Sequence, residues 1–369
     1  MERYTGGAFS FEVTDANATG GDGPEDVAIL LHGFPQDRRC WDGVTSLLTA
    51  DGYRVLAPDL RGYSPGARPA ARSAYRNSQL AADVLALADA AGAERFHLAG
   101  HDWGAALAWY LAGRYPGRVT SLAALSVPHP QAFARALISG DQAARSWYMA
   151  AYQLPWLPER ALARRGGRAF RDVLVRTGLD PASADRYAAR ARDPAALRGP
   201  LNWYRAMPFS MREPAGPIRV PTMFAWGNRD RFVSRTAAEL CGRYVTGPYR
   251  FTELDGASHW LPEQAAGQVA ALLAEHFAAS PRQQGRPANS DREPGPPLPV
   301  VITGRHVHRA DRVTGSPAGV VICRLQGASG RQGRDDHELL RSRRCSRSWT
   351  AGPTASPCER VAALSRGPR

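Results

Sequence analysis

The 369-residue sequence contains no lysine, so all 47 of its basic side chains are arginines. Its 5 cysteines form no C-x-x-C pair and show no spacing with histidine typical of a metal site, so we expect free thiols and no bound metal. No uncharged apolar run reaches the ~18 residues that a membrane-spanning helix needs. Residues 1–10 carry no basic-then-apolar signal pattern. These absences predict a cytoplasmic protein without a membrane span.

The net charge of +13 is concentrated near the end of the chain. Residues 281–369 hold 16 arginines against 7 acidic residues. The tail from 280 to 369 is rich in Pro, Gly, Ser and Arg and has no sustained period, which predicts disorder. Because no nucleic-acid-binding motif accompanies these arginines, we do not expect nucleic acid to be a partner.

Apolar strand-like runs alternate with helical patterns over residues 1–129 and again over 213–279. This alternation predicts an α/β protein with a mostly parallel sheet that is covered by helices on both faces. Ser78 is the expected N-cap of a helix that runs to Ala91. Residues 130–212 show only short helical segments broken by proline and glycine, which predicts a helical lid (cap) domain inserted between two strands.

A sharp turn is predicted at residues 100–104, where an apolar run over 95–99 meets a helical pattern over 105–115. The sequence Gly-His-Asp-Trp-Gly at 100–104 fits a strand-to-helix bend that exposes one side chain above a sheet. Gly100 and Gly104 suit this bend because close helix packing leaves no room for a side chain. The exposed residue is Asp102, an ionised carboxylate at neutral pH that attacks a carbon bearing a leaving group without help from a base.

Hydrolysis of the resulting alkyl ester requires a general base, because water is a weak nucleophile. His259 follows the last predicted strand and is the candidate base. Asp230 follows the preceding strand and is the candidate acid that orients His259, with Asp255 as the alternative. The chain order of nucleophile, acid and histidine is that of α/β-hydrolases. The backbone N–H groups of Phe34 and Trp103 are the expected donors to the oxyanion.

Together with Asp230 and His259, two motifs resemble those of the soluble epoxide hydrolases of the α/β-hydrolase superfamily: Gly-His-Asp-Trp-Gly at 100–104 and His-Gly-Phe-Pro at 32–35. The segments Ala-Tyr-Gln-Leu at 151–154 and Leu-Asn-Trp-Tyr-Arg at 201–205 are similar to the two lid segments of that family. The resemblance implies that Tyr152 and Tyr204 bind the epoxide oxygen and protonate it. Pro155 departs from the pattern and affects how the first segment presents its tyrosine.

The resemblance covers residues 1 to about 278 and implies an epoxide hydrolase that converts an epoxide and water to a vicinal diol without a cofactor. A haloalkane dehalogenase is the closest alternative, because it uses the same aspartate nucleophile. Its halide site needs two N–H donors, which Trp103 and a lid tryptophan, Trp147 or Trp156, would supply. A non-catalytic ligand-binding protein on the same fold is the third hypothesis. The sequence leaves the oligomeric state open.

Overall fold

The computed structural model describes residues 1–19 and 26–280, and these contain eight β-strands. The strands are β1 (Arg3–Gly6), β2 (Phe9–Ala16), β3 (Asp26–Leu31), β4 (Tyr53–Pro58), β5 (Phe96–His101), β6 (Val119–Leu125), β7 (Thr222–Gly227) and β8 (Tyr249–Leu254). They form one sheet in the order β1-β2-β4-β3-β5-β6-β7-β8. β1 and β2 pair antiparallel, and β2 joins β4 antiparallel. The remaining strands are parallel, so the predicted α/β class and mostly parallel sheet are confirmed.

Fourteen α-helices connect and cover the strands within the described residues. They are α1 (Asp42–Ala50), α2 (Asn77–Ala90), α3 (Trp103–Arg114), α4 (Pro130–Ser139), α5 (Gln142–Arg145), α6 (Trp147–Ala151), α7 (Leu157–Ala163), α8 (Arg168–Arg176), α9 (Pro181–Ala189), α10 (Pro194–Arg205), α11 (Met207–Ser210), α12 (Arg235–Glu239), α13 (Leu261–Gln264) and α14 (Ala266–Ala278). Short 3-10 turns occupy Arg38–Trp41, Arg72–Tyr75, Arg164–Gly167, Arg190–Arg192 and Cys241–Tyr244.

The central strands are buried because helices cover both sheet faces. Every residue of β5 and of β7 is buried. Two apolar clusters form the core, and they contain alternate residues of the same strands: Ile29 and Leu31 lie in one, and Ala28 and Leu30 in the other. This alternation follows from the period of two along a strand, which sends neighbouring side chains to opposite faces of the sheet.

The structure corrects two local expectations, which concern the first strand of the sheet and the N-cap of α2. β1 precedes the expected first strand and pairs with β2 through four residues, a pattern too short to stand out in sequence. Ser78 does not cap α2, which begins at Asn77 and has no side-chain cap. Instead the Ser78 N–H and hydroxyl both donate to the carboxylate of Glu213, at 2.8 and 2.9 Å. A distant acidic side chain therefore satisfies the helix terminus.

Residues 130–210 form eight helices, α4 to α11, inserted between β6 and β7. We call residues 130–210 the helical insertion. A buried pair within it joins α7 to α10, since both guanidinium ends of Arg205 donate to the Glu159 carboxylate at 2.7 and 2.9 Å. That residues 130–212 constitute a domain of their own stays a prediction.

No helix formed by residues 1–19 and 26–280 combines the length and apolar character needed to cross a bilayer. The disorder predicted for the tail concerns residues that, except for Ser280, lie outside those described.

Candidate active site

Asp102 occupies the bend between β5 and α3, with φ 53° and ψ −120°. A positive φ is rare in residues other than glycine and costs on the order of 1–3 kcal/mol. The flanking glycines explain why the bend is possible: a Cβ on Gly100 would overlap the Gly104 carbonyl, and a Cβ on Gly104 would overlap the Leu31 carbonyl. The backbone therefore lifts the Asp102 side chain out of the end of the sheet.

The two carboxylate oxygens of Asp102 have different neighbours. Oδ1 accepts a hydrogen bond from the backbone N–H of Phe34 at 2.7 Å, and Oδ2 lies 3.4 Å from Nε2 of His259. Gly33 permits this approach because a Cβ there would overlap the Asp102 side chain. Burial by itself raises the pKa of Asp102, but His259 and the Phe34 N–H outweigh burial and hold that pKa below its usual value. The carboxylate is therefore ionised at neutral pH.

His259 is 2% exposed and bridges two carboxylates. Its Nδ1 lies 2.7 Å from Oδ2 of Asp230, and its Nε2 faces Asp102. The other oxygen of Asp230 accepts hydrogen bonds from the backbone N–H groups of Phe232 and Val233, at 2.7 and 3.0 Å. This carboxylate therefore holds the ring of His259 in a fixed orientation.

The alternative acid, Asp255, lies elsewhere. It is exposed, and its carboxylate accepts a hydrogen bond from the Asn228 side chain at 2.8 Å. The geometry places Asp230, and not Asp255, against the histidine.

The charge state of His259 follows from its two neighbours. Burial alone lowers the pKa of His259, whereas the Asp230 and Asp102 carboxylates raise it, and the result is a pKa raised to about 10. The imidazole is therefore protonated at neutral pH while both carboxylates are charged. Removal of the charge on either carboxylate lowers this pKa and frees the ring to act as a base.

The backbone of His259 is held by buried groups that the sequence analysis did not identify as important. Its carbonyl accepts a hydrogen bond from the Ser126 hydroxyl at 2.7 Å and lies 2.8 Å from Nε2 of His101. Nδ1 of His101 contacts the Gln36 side chain at 2.8 Å. These contacts fix the loop after β8 against β5 and the loop after β3. The position of His101 beside Asp102 is the one sequence signal that pointed to it.

The predicted oxyanion donors lie on either side of Asp102. The N–H of Phe34 already contacts its carboxylate. Trp103 is the first residue of α3, and a helix N-terminus carries backbone N–H groups without intrahelical acceptors and a partial positive charge. The Phe34 N–H thus lies where negative charge on Oδ1 would be stabilised, and the role of the Trp103 N–H stays a prediction.

Tyr204 enters the site from α10 and is 3% exposed. Its ring packs edge-on against Trp103 and Phe34, with centroid distances of 4.9 and 5.4 Å. Burial raises the pKa of Tyr204 well above its usual value, and the nearby Tyr148 and Asp102 raise it further. The hydroxyl is a neutral hydrogen-bond donor at neutral pH.

The other predicted tyrosine, Tyr152, follows the last residue of α6, because this helix ends at Ala151 shortly before Pro155. Its ring packs against Phe34 and Tyr204, at 5.8 and 5.0 Å between centroids. Burial raises the pKa of Tyr152 well above its usual value. Tyr152 lines the same cavity as Asp102, and its hydroxyl has no hydrogen-bond partner among residues 1–19 and 26–280.

Tyr148 is a pocket tyrosine that the sequence analysis missed. It lies on α6 one turn before Tyr152, and its ring contacts Tyr152, Tyr204 and Phe232 at 5.6, 6.1 and 5.7 Å. Burial raises the pKa of Tyr148 well above its usual value, the Asp102 charge raises it further, and the Tyr204 hydroxyl lowers it in part. The spacing of four residues from Tyr152 was the available signal, since such residues share a helix face.

These groups meet in a cavity of about 880 Å³ between the end of the sheet and the helical insertion. Its wall is mainly apolar and aromatic, and Asp102 and His259 are among its polar groups. Trp147 lines this cavity but is 71% exposed, whereas Trp156 lines a neighbouring cavity and is 55% exposed. Neither lid tryptophan is buried beside Asp102, as a halide site would require. The described residues contain no cluster of His, Cys, Asp or Glu suited to a metal ion.

The family model for the alpha/beta hydrolase fold matches residues 27–266, so the chain belongs to the α/β-hydrolase fold family. Within that family the chain is epoxide hydrolase-like, which confirms the predicted resemblance.

Two relatives of known sequence and one of known structure illustrate this similarity. The AB hydrolase superfamily protein YfhM of Bacillus subtilis is 34% identical over 263 residues, which cover 69% of this chain and 91% of that protein. Epoxide hydrolase A of Mycobacterium tuberculosis is 34% identical over 290 residues, covering 68% of this chain and 89% of that protein. The crystal structure of epoxide hydrolase A from Mycobacterium thermoresistibile matches with a TM-score of 0.63 and 27% identity, covering 76% and 98% of the two chains.

Proposed function

We propose that this protein is an epoxide hydrolase in which Asp102 attacks the epoxide and His259 directs hydrolysis of the ester that forms. The observation that carries the proposal is the position of Asp102. Its Oδ1 is bound by the Phe34 N–H, and its Oδ2 faces both His259 and the aromatic cavity. A carboxylate in this setting suits an electrophilic carbon, and the epoxide hydrolase relatives point to an epoxide.

In the first step, Oδ2 of Asp102 forms a bond to one epoxide carbon while the bond from that carbon to the ring oxygen breaks. The ring oxygen takes a proton from Tyr204, since an alkoxide leaves poorly without one. The product is a hydroxyalkyl ester of Asp102. Tyr204 is suited to this role because it is neutral, buried and close to Trp103, the residue after the nucleophile.

In the second step, His259 takes a proton from water, and the hydroxide adds to the carboxyl carbon of Asp102. Negative charge develops on Oδ1, where the Phe34 and Trp103 N–H groups stabilise it; loss of one such donor typically costs about 10²–10³ in turnover. The ester bond then breaks, the departing alkoxide takes the proton of the newly added hydroxyl, and the Asp102 carboxylate and the protonated His259 are restored. Before this step, esterification removes the charge of Asp102 and lowers the pKa of His259, so its proton passes through solvent to the Tyr204 phenolate and the neutral ring becomes the base.

The partner of Tyr204 at the epoxide oxygen is assigned to Tyr152, as the sequence resemblance implies. Tyr152 lines the cavity that contains Asp102, and its hydroxyl has no hydrogen-bond partner among residues 1–19 and 26–280, so it is available to the epoxide. The helical insertion thus acts as the lid that supplies both proton donors.

The decisive experiment is a single turnover in ¹⁸O-labelled water, with enzyme in excess over a styrene-type epoxide. The diol should carry no label, because its new oxygen comes from Asp102, and the label should remain in the peptide that contains residue 102. A labelled diol in the first turnover would show that water attacks the epoxide directly and would overturn the covalent mechanism.

A trapping experiment provides the matched control. The His259→Gln variant should accumulate an adduct whose mass increase equals that of the intact epoxide, and the His259→Gln/Asp102→Ala double variant should show none.

Parallel measurement of bromide release from a bromoalkane tests the dehalogenase alternative, for which bromide rather than diol would be the main product.

A further inference from the structure

The helical insertion differs sharply in charge from the rest of the sequence up to residue 280. Residues 130–210 contain 13 arginines and 6 acidic residues, whereas residues 1–129 and 211–280 together contain 18 arginines and 21 acidic residues. The insertion is therefore strongly basic on a core that is slightly acidic. This imbalance makes the surface around the cavity mouth attractive to anions.

Large apolar side chains are exposed on the same part of the insertion. We call them the rim: Trp147, Leu154, Trp156, Leu157 and Val173, which are 71, 47, 55, 45 and 42% exposed. Four of them also line the 880 Å³ cavity that contains Asp102, and Trp156 lies between two of these in sequence. The rim therefore lies at the opening of the cavity. Clustered exposed apolar groups of this kind mark an interaction surface.

Four exposed arginines border the rim. The Arg160 guanidinium lies 4.8 Å from the centre of the Trp156 ring, and Arg198 lines the same neighbouring cavity as these two residues. Arg176 lies one helical turn after Val173 on α8, and Arg231 lines the cavity mouth. None of these four guanidinium groups lies within 4.0 Å of a carboxylate belonging to residues 1–19 or 26–280.

The acidic side chains near the rim are already neutralised. Asp141, Glu159 and Asp172 each lie within 3.5 Å of an arginine: Arg145, Arg205 and Arg171, respectively. The charge that remains available to a partner at this surface is consequently positive.

We propose that the rim docks the protein onto an anionic lipid surface, with the cavity mouth facing the membrane. Tryptophan and leucine side chains flanked by arginines are the combination that inserts into the boundary between headgroups and acyl chains. The phosphates of a nucleic acid would pair with the arginines, but nothing in a nucleic acid would cover the exposed leucine and valine side chains. The docking requires no membrane-spanning helix.

The proposal is tested by flotation of the full-length protein with phosphatidylcholine vesicles that contain or lack 30% phosphatidylserine. We expect binding only to the anionic vesicles, with affinity that falls as salt is raised. In the Arg160→Glu/Arg176→Glu/Arg198→Glu variant, binding should weaken about 100-fold or more, since each basic residue near an anionic surface contributes about a factor of five. None of these three arginines lines the cavity that contains Asp102.

The matched control reverses the same number of charges elsewhere, in Arg114→Glu/Arg219→Glu/Arg243→Glu. These arginines are exposed and lie outside the insertion. Equal loss of binding in both triple variants would assign the attraction to overall charge or to the arginine-rich tail and would overturn the proposal. A Trp156→Ser variant tests whether the rim enters the lipid. Quenching of tryptophan fluorescence by brominated lipid should be weaker in this variant than in the wild type. Unchanged quenching would also contradict docking through the rim.

Discussion

The sheet and the helical insertion both contribute to the candidate active site, but they position their residues by different means. Asp102 and His259 follow strand ends, and backbone hydrogen bonds and neighbouring glycines determine where they lie. The tyrosines of the insertion are positioned by ring contacts among themselves and with Phe34. Groups fixed by backbone geometry tolerate little change, whereas groups fixed by packing depend on the stability of the helices that carry them.

The largest effect should come from the proposed nucleophile, which follows a strand of the sheet. Asp102→Ala should reduce kcat for an epoxide by at least about 1,000-fold, because Asp141, another carboxylate that lines the cavity, is paired with Arg145 and not with His259. Steady-state diol formation measures this change, and near-UV circular dichroism controls for the fold. Activity within tenfold of wild type would remove Asp102 from the mechanism.

Two buried ion pairs of similar geometry provide a direct comparison of the regions. Arg61 and Asp83 pair in the core at 2.7 and 2.6 Å, and Arg205 and Glu159 pair in the insertion at 2.7 and 2.9 Å. Breaking a buried pair typically costs about 3–5 kcal/mol. Asp83→Asn should lower the global free energy of urea unfolding, whereas Glu159→Gln should mainly accelerate proteolysis within residues 130–210. Equal global destabilisation by both variants would show that the two regions unfold as one unit.

The tyrosines test the insertion's part in catalysis. Tyr204→Phe should lower kcat about 100-fold, as expected for loss of a positioned proton donor. Tyr152→Phe should also lower kcat, and by more than Tyr148→Phe does, because Tyr152 is assigned as the second proton donor. The reverse order would assign that role to Tyr148.

Stability should depend on pH through His259. Burial lowers the pKa of this side chain, but Asp230 and Asp102 raise it from 6.5 to about 10 in the folded protein. A raised pKa means that the folded state binds the extra proton, so the stabilisation is complete below pH 6.5 and is lost as pH rises toward 10. Urea unfolding of wild type and His259→Gln should therefore converge across this interval; a constant difference would contradict the charge state assigned to His259.

The smallest effect concerns the contact that replaces the expected helix cap. Ser78→Ala removes the hydroxyl hydrogen bond to Glu213 but leaves the backbone one, so it should cost about 0.5–1.5 kcal/mol in urea unfolding. Glu213→Gln is the companion variant. No change in either would indicate that Glu213 contributes nothing to the start of α2.

The difference between the sheet and the helical insertion also explains which features could be predicted from the sequence. Apolar runs and flanking glycines predicted the parallel sheet, and the predicted bend at Asp102 lies between β5 and α3 as expected. Asp230 and His259 were predicted to lie together because each follows a strand, and their side chains are 2.7 Å apart. Tyr148 was missed because an aromatic residue at helical spacing is typical of a packed core, and only the fold places it in the cavity. Ser78 was misassigned because its partner is 135 residues away in sequence.

The backbone conformation of Asp102 restricts which amino acids can occupy that position. With φ at 53° and ψ at −120°, the backbone lies outside the left-handed helical region in which asparagine and aspartate are enriched, so glycine fits best and other residues are strained. Selection for foldability alone would therefore favour glycine here, and a charged residue at such a strained site is a mark of selection for chemistry.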